Sequence, residues 1–416
     1  MRFNIFFLSI IVFSFFSCKN NNQIEETFQT ILLDYECKKC IIVNDHFYID
    51  LKSNLQTYAT LDKEVKFVTE NNKIKISLDS IDYGWHILEI VLGNDETISF
   101  HVNKILDLPN VLIPSTIIYS GWYARNNIYN KKYKKYIQKN YSIQDTYFGS
   151  FRDDWSNVLF DDRGIPVLLY QDKGIQYNPT LIAQYALTFY NLEEMTPSEK
   201  EKFIFLADYI CNNLINIDGS IPYNFDYKMH GIDLYSPWYS GMAQGQILSV
   251  LARAYNITND SKYIYIGESV LNFMISYCKK TLSQFTKLHP DFKKYENYVI
   301  YEEYVAEENS YVLNGNIFGL IGLHDWFECS GNQEALNAFN LGCKSIEFLL
   351  PYYDYHGSSS YDLIHFINEE DIDLKNSYMH DYHIALLDAL FCYTNNNIFK
   401  QYRDLFINYY EKTLSF

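Results

Sequence analysis

The chain is short of positive charge: 34 Lys and Arg stand against 51 Asp and Glu, a formal net charge of −17. That shortage excludes the generic basic footprint by which proteins hold nucleic acid. It also means that an acidic polymer, repelled by the overall field, would need a locally basic cleft. The sequence has no phosphate loop, no dinucleotide fingerprint, no Ser nucleophile elbow and no pair of zinc-ligand motifs, so no nucleotide, metal or other cofactor is expected. Cys37-Lys38-Lys39-Cys40 has no second pair for zinc and no thioredoxin-like βαβ context for redox chemistry, which leaves a local disulfide open. The apolar run from Phe3 to Phe16 is too short to cross a bilayer.

That run instead fits a signal-peptide core. Met1-Arg2 gives it a positive start, and Ser17-Cys18 ends it before the polar stretch Lys19 to Asn22. A Cys directly after small and apolar residues resembles a bacterial lipoprotein processing site. The expectation is an exported protein, lipid-anchored to a bacterial cell membrane through Cys18 and facing the periplasm or the cell surface. With 416 residues, 48% hydrophobic and 20% charged, the chain has material for two or three globular domains. Its 39 Tyr and 29 Phe could stack on sugars, although an AT-rich genome produces the same enrichment.

The periodicities predict an α+β, multidomain chain: an N-terminal small β-sandwich, then a mainly α-helical α/α toroid of helix-pair repeats. Residues 1–18 are the signal peptide, 23–107 the β-sandwich-like domain, 108–149 a linker and 150–416 the helical domain. Lys73 to Leu78, His86 to Leu92 and Thr97 to Val102 alternate, and Asn94-Asp95 marks a turn between the last two. Thr196-Pro197-Ser198-Glu199 is a capping box with Pro at the first helical position. Four helix pairs follow the 3.6 period: 180–193 with 197–214, 242–256 with 261–278, 314–330 with 332–349, and 382–394 with 398–412. Cys211, Cys278, Cys329, Cys343 and Cys392 fall in or beside these helices and read as core residues. Turns within pairs are short, and the connections 215–241, 279–313 and 350–381 are long. In an array of helix pairs such connections gather at one end, where a rigid scaffold presents them for chemistry.

These connections carry phenols and carboxylates: Tyr301-Glu302-Glu303-Tyr304, Tyr361-Asp362-Leu363-Ile364-His365, and Asp381-Tyr382-His383 at the mouth of the last pair. In a chain so rich in Tyr, a structural role for each is an adequate reading on periodicity alone. Asp153-Asp154 and Asp161-Asp162 read as solvated acidic loops rather than cation sites.

Several segments are, however, recognisable. Trp238-Tyr239-Ser240-Gly241-Met242-Ala243-Gln244-Gly245-Gln246, with Val250 to Tyr255 after it, closely resembles a segment of D-glucuronyl C5-epimerases. These enzymes convert glucuronate to iduronate in heparan-type chains. Ile182 to Tyr185, Glu302-Glu303-Tyr304, Val312 to Gly315, Leu320 to Asp325, Leu349 to Asp354, Tyr361-Asp362-Leu363, His365-Phe366 and Asp381-Tyr382-His383 extend the resemblance over roughly residues 150–412. It implies an α/α-toroid catalytic domain, cofactor-independent chemistry on a uronic-acid-containing polysaccharide, and a homodimer. It implies catalytic roles for Glu303, Tyr304, Tyr361 and Tyr382. Substrate contacts are expected from Tyr177, Gln184, Trp238, Tyr239, Gln244, Gln246, Asn314, His365 and His383. For Gln244 and Gln246, helix packing through Gly241, Ala243 and Gly245 is an adequate alternative, and His365 and His383 can equally be supporting or core residues.

The chemistry explains the residue types. The C5 hydrogen lies α to a carboxylate and is very weakly acidic, and its removal places a second negative charge on the carboxylate oxygens. Inversion needs a base on one ring face, an acid on the other and donors aimed at the carboxylate. Glu303 or Tyr304 is assigned to one face, Tyr382 to the other and Tyr361 to the intermediate. Glu303 serves as base if burial raises its pKa. One departure bears on the substrate. The family reads Tyr-Asp-Leu-Arg-His-Phe, and Ile364 stands at the Arg position. Arg pairs naturally with a carboxylate. Arg152, Arg163 and Arg253 are the candidates to replace it. The same carbanion would serve a lyase, a loss of catalysis would leave a glycan-binding protein, and a glycoside hydrolase would need Glu303 and Asp362 at a suitable separation.

Overall fold

The computed structural model describes residues 141–148, 158–170, 173–192, 194–288, 290–355, 358–367 and 377–413. It also describes residues 134, 137, 138 and 155 and, before residue 113, the strands below with a few residues joining them. Cys18, Cys37 and Arg152 lie outside the described residues. The chain divides into two compact units, Met1–Ile128 with Asp154–Gln176, and Tyr129–Asp153 with Tyr177–Phe416.

In the first unit, strands hydrogen-bond into a nine-stranded sheet in the order Gln29–Leu32, Ser9–Ser14, His46–Asp50, Lys73–Ser77, Val65–Glu70, Tyr58–Leu61, Gly84–Val91, Thr97–Lys104, Cys40–Val43. The hairpin expected at its end is present, running from Gly84↔Lys104 to Val91↔Thr97. Alternation has the expected cause: Ile74 and Ile76 are buried while Lys75 between them is exposed. A β unit is therefore observed, as one continuous ladder. Ser9–Ser14, inside the run read as a signal-peptide core, is a strand of that ladder.

Short strands lie on both sides of the boundary expected at residue 150. Leu159–Asp161, Pro166–Tyr170 and Gly174–Gln176 pair with Val111–Leu112 in a four-stranded antiparallel sheet of the first unit. Asp161 is the reason that the chain turns there. It is 2% exposed, its Oδ1 accepts from the backbone N–H of Arg163 and Ile165, and its Oδ2 pairs with the Arg163 guanidinium at 2.9 Å. With Gly164 at φ +76°, this closes a hairpin; the Asp161 part of the acidic pair is a turn brace and not a solvated loop.

The second unit contains the helix pairs. Among the described residues these are α1 (Pro179–Thr188), α2 (Pro197–Asn213), α3 (Gly241–Thr258), α4 (Ser261–Phe273), the short α5 (Ser283–Leu288), α6 (Leu313–Ser330), α7 (Gln333–Tyr353), α8 (Ser377–Thr394) and α9 (Asn397–Thr413). Side chains cap the starts of five of them: Asn178, Thr196 with its capping box, Ser240, Asp260 and Asn332. Three ends differ from the periodicity: α4 finishes in a π turn over Met274–Cys278, α7 continues past Pro351, and α8 begins at Ser377.

The first helices of successive pairs touch one another, α1 with α3, α3 with α6 and α6 with α8, and each second helix packs on its first. The α3–α6 contact is made backbone to backbone. A Cβ on Gly245 would lie 2.6 Å from Gly319 Cα, and one on Gly322 would lie 2.0 Å from Gly245 O. Residues 141–148 then cross the C-terminal ends of the four inner helices. Tyr141 OH donates to Asp388 Oδ2 on α8 (2.5 Å), Ile143 N to Glu328 Oε2 on α6 (3.0 Å), and the Arg253 guanidinium on α3 to Ser142 O (3.5 Å). Tyr190 OH, just beyond α1, donates to Ile143 O (2.6 Å). This segment lies in the stretch 108–149 expected to be a linker, and it falls within the second compact unit. The inner helices are therefore parallel, with their N-termini at the opposite end.

Candidate active site

The three long connections meet at that opposite end. In the first, Tyr227–Met229 and Ile232–Leu234 form a hairpin whose turn holds His230 at φ +42° and Gly231 at φ +86°. Tyr223 and Trp238 exchange backbone hydrogen bonds (2.8 and 3.2 Å), and their rings stack at 3.9 Å. The Trp238 indole N–H donates to Phe225 O (2.8 Å), and Tyr223 OH meets Thr180 Oγ1 in the first turn of α1 (2.7 Å).

In the second connection, strand Val299–Tyr301 leads into the loop before α6. Glu302 turns inward and is 1% exposed; its Oε1 accepts from Tyr311 N (3.0 Å) and its Oε2 from Ser310 Oγ (2.8 Å). Burial pushes its carboxyl up to about 7. The loop is cinched by Glu302, and the next two residues face the cluster. Glu303 lies against the first turn of α6: a Cβ on Gly315 would fall 2.0 Å from Glu303 Oε2. Only glycine at 315 leaves this space. Oε2 is shut off from solvent with no hydrogen-bond partner. Burial pushes the Glu303 carboxyl up to about 8; the Glu302 and Asp362 charges add to the rise, and the Tyr304 and Tyr361 hydroxyls pull it back.

Tyr304 OH lies 3.3 Å from Tyr361 OH. Its ring runs nearly parallel to Tyr227 (6.0 Å, 26°) and tilts against Trp238 (5.9 Å). Burial holds both phenols well above 10, so they remain neutral acids at ordinary pH. The third connection is tied to the second by Leu313 N to Tyr361 O (3.1 Å) and Leu363 N to Ser310 O (3.2 Å). Asp362 is fully buried; its Oδ1 accepts from Ile364 N (3.2 Å), and its Oδ2 meets His230 Nδ1 at 2.6 Å. His230 also lies edge-on to Tyr361 (6.0 Å). Sequence reasoning did not single out His230, because its partner is 132 residues away.

Tyr382 on α8 is 8% exposed, with its ring edge-on to Phe318 (6.5 Å). Phe318 and Gly315 are three residues apart on α6 and share a face, so Glu303 and Tyr382 lie against one side of the same helix. Asn314, beside Gly315, has a buried Oδ1 with no hydrogen-bond partner. Other expected substrate contacts are placed differently. Trp238 is 5% exposed and is the buried support of Tyr304. Tyr239 packs on Phe273 and Tyr277. Gln244 donates to Gly219 O (3.1 Å) and Val270 O (3.4 Å), which ties α3 to its surroundings. Gln246 is fully buried and its amide has no partner. His383 shares Ser359 Oγ through Nδ1 (2.7 Å), and burial with His380 beside it holds it down at about 3, so it is neutral. His365 is half-buried against Phe366 (4.4 Å), and burial lowers it. Tyr177 is 38% exposed near Tyr209 (6.5 Å), and Gln184 is half-buried on α1.

The arginine candidates are engaged elsewhere. Ile364 is fully buried. Arg163 braces its own turn with Asp161. Arg253 pairs with Asp325 (2.6 Å) at the C-terminal end of the inner helices, 3% and 0% exposed, between the Tyr147 and Tyr190 rings. His324, Asp325 and Glu328 there bring donor atoms within 4.8 Å of one another, but Arg253 already neutralises Asp325 and Ile143 N occupies Glu328.

Residues 216–408, which include all the residues of this cluster, match the family model of the D-glucuronyl C5-epimerase C-terminus. This part of the chain belongs to that family. A D-glucuronyl C5-epimerase of Caenorhabditis elegans is 29% identical over 220 residues, 50% of this chain and 34% of that protein. The chain thus matches about a third of that epimerase's length. An uncharacterised protein of Methanocaldococcus jannaschii is 24% identical over 70% of this chain and 89% of its own. Among solved structures, cellobiose 2-epimerase from Bacillus thermoamylovorans aligns with a TM-score of 0.42 at 10% identity, over 61% of this chain and 66% of that one. A polysaccharide lyase aligns with a TM-score of 0.33 at 12% identity, over 89% and 57%. Likenesses at this level carry no weight for function. Within the epimerase domain, the site stands on its own geometry: a buried carboxyl and two neutral phenols over the N-terminus of α6.

Proposed function

We propose that the protein epimerises D-glucuronate to L-iduronate at C5 within a polysaccharide such as heparosan. The observation that carries this reading is Glu303: a carboxyl raised to about 8, with a buried, unpartnered oxygen, beside Tyr304 and Tyr361. Ionised Glu303 takes the C5 proton, and a base titrating this high is far better matched to a weakly acidic C–H than an ordinary carboxylate. The electron pair left on C5 delocalises onto the sugar carboxylate, where Tyr361 donates a hydrogen bond. Tyr382 returns a proton to C5 on the other face, Tyr304 holds Glu303 in line, and solvent restores both groups.

The field problem posed by the charge of −17 has a local answer. The N-termini of α1, α3, α6 and α8 all point toward this end, and each contributes a partial positive charge. The neutral phenols add no repulsion while substrate binds. The reading includes export and lipid anchoring at Cys18, supported by the sequence around it.

The test is incubation with heparosan in D₂O. Iduronate with deuterium at C5 supports the reading, and an unsaturated sugar transfers the same carbanion to a lyase.

A further inference from the structure

The chain is acidic overall, with a formal charge of −17, and a small lobe of the helical unit runs against that balance. Lys279, Lys280, Lys287, Lys293 and Lys294 fall within it, with Asp291 and Glu296 as its carboxylates. The lobe consists of strand Lys279–Thr281, α5, the 3-10 turn Pro290–Tyr295 and strand Val299–Tyr301. We propose that this lobe is a docking surface for the uronate polymer beyond the sugar that reacts, its lysines meeting the polymer's carboxylates; this rests on the proposed function.

Three observations carry it. The first is how the lobe divides its side chains. Phe285 is fully buried and edge-on to Tyr352 (4.9 Å) and Phe348 (6.1 Å), and Tyr295 stacks on Phe348 (4.1 Å), so an aromatic side is pinned to the last turns of α7. Lys279, Lys287, Lys293 and Lys294 are exposed. The second is that these charges are uncommitted. Among the described residues none of the five forms an ion pair, whereas Lys228 pairs with Asp233 and Lys262 with Asp208 and Asp260. The third is position. Lys279 and Lys280 pair with Tyr301 and Ile300, directly before Glu302, Glu303 and Tyr304, and Glu302 N donates to Cys278 O (3.1 Å). Burial raises the Glu302 carboxyl, and the Lys280 charge is near enough to pull it partly back. A polymer leaving the cluster therefore has the lobe beside it. A uronate chain presents carboxylates at intervals along its length, and cations on the adjoining surface attract and hold such a chain.

A merely solvated charged face has no preference for polymer length, so length is the readout. Binding is measured by calorimetry with the full chain, long-chain heparosan and a heparosan tetrasaccharide, compared per disaccharide. Wild type is expected to bind the long chain about ten-fold or more tightly than the tetrasaccharide, an advantage that shrinks as added salt screens exposed charges. The triple variant Lys287→Glu, Lys293→Glu, Lys294→Glu should lose that advantage, and so should the corresponding Gln variant, which removes charge without adding repulsion. Tetrasaccharide affinity and C5 exchange on the tetrasaccharide should change by less than about two-fold in both, since these side chains are exposed and outside the cluster. Wild type that binds the two ligands equally, or variants that keep the long-chain preference, overturn the proposal. Phosphatidylglycerol vesicles that bind wild type and not the Glu variant, with the long-chain preference unchanged, assign the lobe to a lipid surface and overturn it as well. Deuterium at C5 is read in parallel incubations of both ligands in D₂O. Its absence, with the length preference intact, overturns the epimerase reading and leaves the docking surface standing; its presence without a length preference does the reverse.

Discussion

Glu303 meets two opposed demands, since a useful base must be buried enough to bind protons tightly and open enough to reach C5. Replacing it with Gln keeps the shape and removes the base; C5 exchange should fall by at least about 10²-fold with substrate affinity retained. Its pKa of about 8 also sets a pH dependence. As a base Glu303 must be ionised, so kcat/KM should rise with pH through about 8, and the residual activity of Glu303→Gln should lack that limb. The stability effect has the opposite sense. The folded carboxyl holds its proton up to about 8 and the unfolded one loses it near 4.5, so wild-type stability declines as pH rises between these values. Thermal melts should show Glu303→Gln level with wild type below pH 4.5 and ahead of it above pH 8. Glu303, Tyr304 and Tyr361, which the structure brings together, stand in short motifs on long connections that sequence can flag, whatever their roles. His230 could not be flagged in that way, since a lone His on a hairpin acquires meaning only when Asp362 arrives from the other side of the fold. Trp238 was visible in sequence as part of a motif, and the structure buries it beneath Tyr304. Its motif marks importance, and only packing shows that its faces are taken by Tyr223 and Tyr304.

At the scale of elements, two glycines of α6 separate activity from stability. Gly315→Ala places a methyl in the space of the Glu303 carboxylate, the movable end of a side chain. It should cost about 10²-fold or more in exchange by displacing the base, with little change in melting temperature. Gly322→Ala drives a methyl into the backbone of Gly245, which cannot swing aside. It should destabilise by about 3 kcal/mol or more, as overpacking between two helix backbones does. Helix pairs were legible because caps and 3.6-residue periodicity are local signals, and Thr196 to Glu199 forms its capping box as read. Local signals are weak around residue 150: Tyr141, Ser142 and Ile143 meet different helix ends, and the strands between Leu159 and Gln176 are only three to five residues long.

At the scale of the molecule, the two ends of the inner helices divide the work. The C-terminal ends are locked by residues 141–148 and by the buried Arg253–Asp325 pair, and the N-terminal ends carry the cluster. Arg253→Met leaves Asp325 buried without its partner and should cost about 3–5 kcal/mol in chemical denaturation. Exchange activity per folded molecule should hold, because the pair lies at the other end of the helices from Glu303. The compartment is a whole-molecule property as well: Cys18→Ala should move the protein from the membrane fraction to the soluble exported fraction. Epimerisation at C5 is tested most directly by NMR of heparosan incubated with the protein in D₂O. Deuterium at C5 together with iduronate signals is expected, both lost in Glu303→Gln. Bound heparosan with undeuterated C5 and no iduronate would contradict the assignment of Glu303 as the base and of the protein as an epimerase.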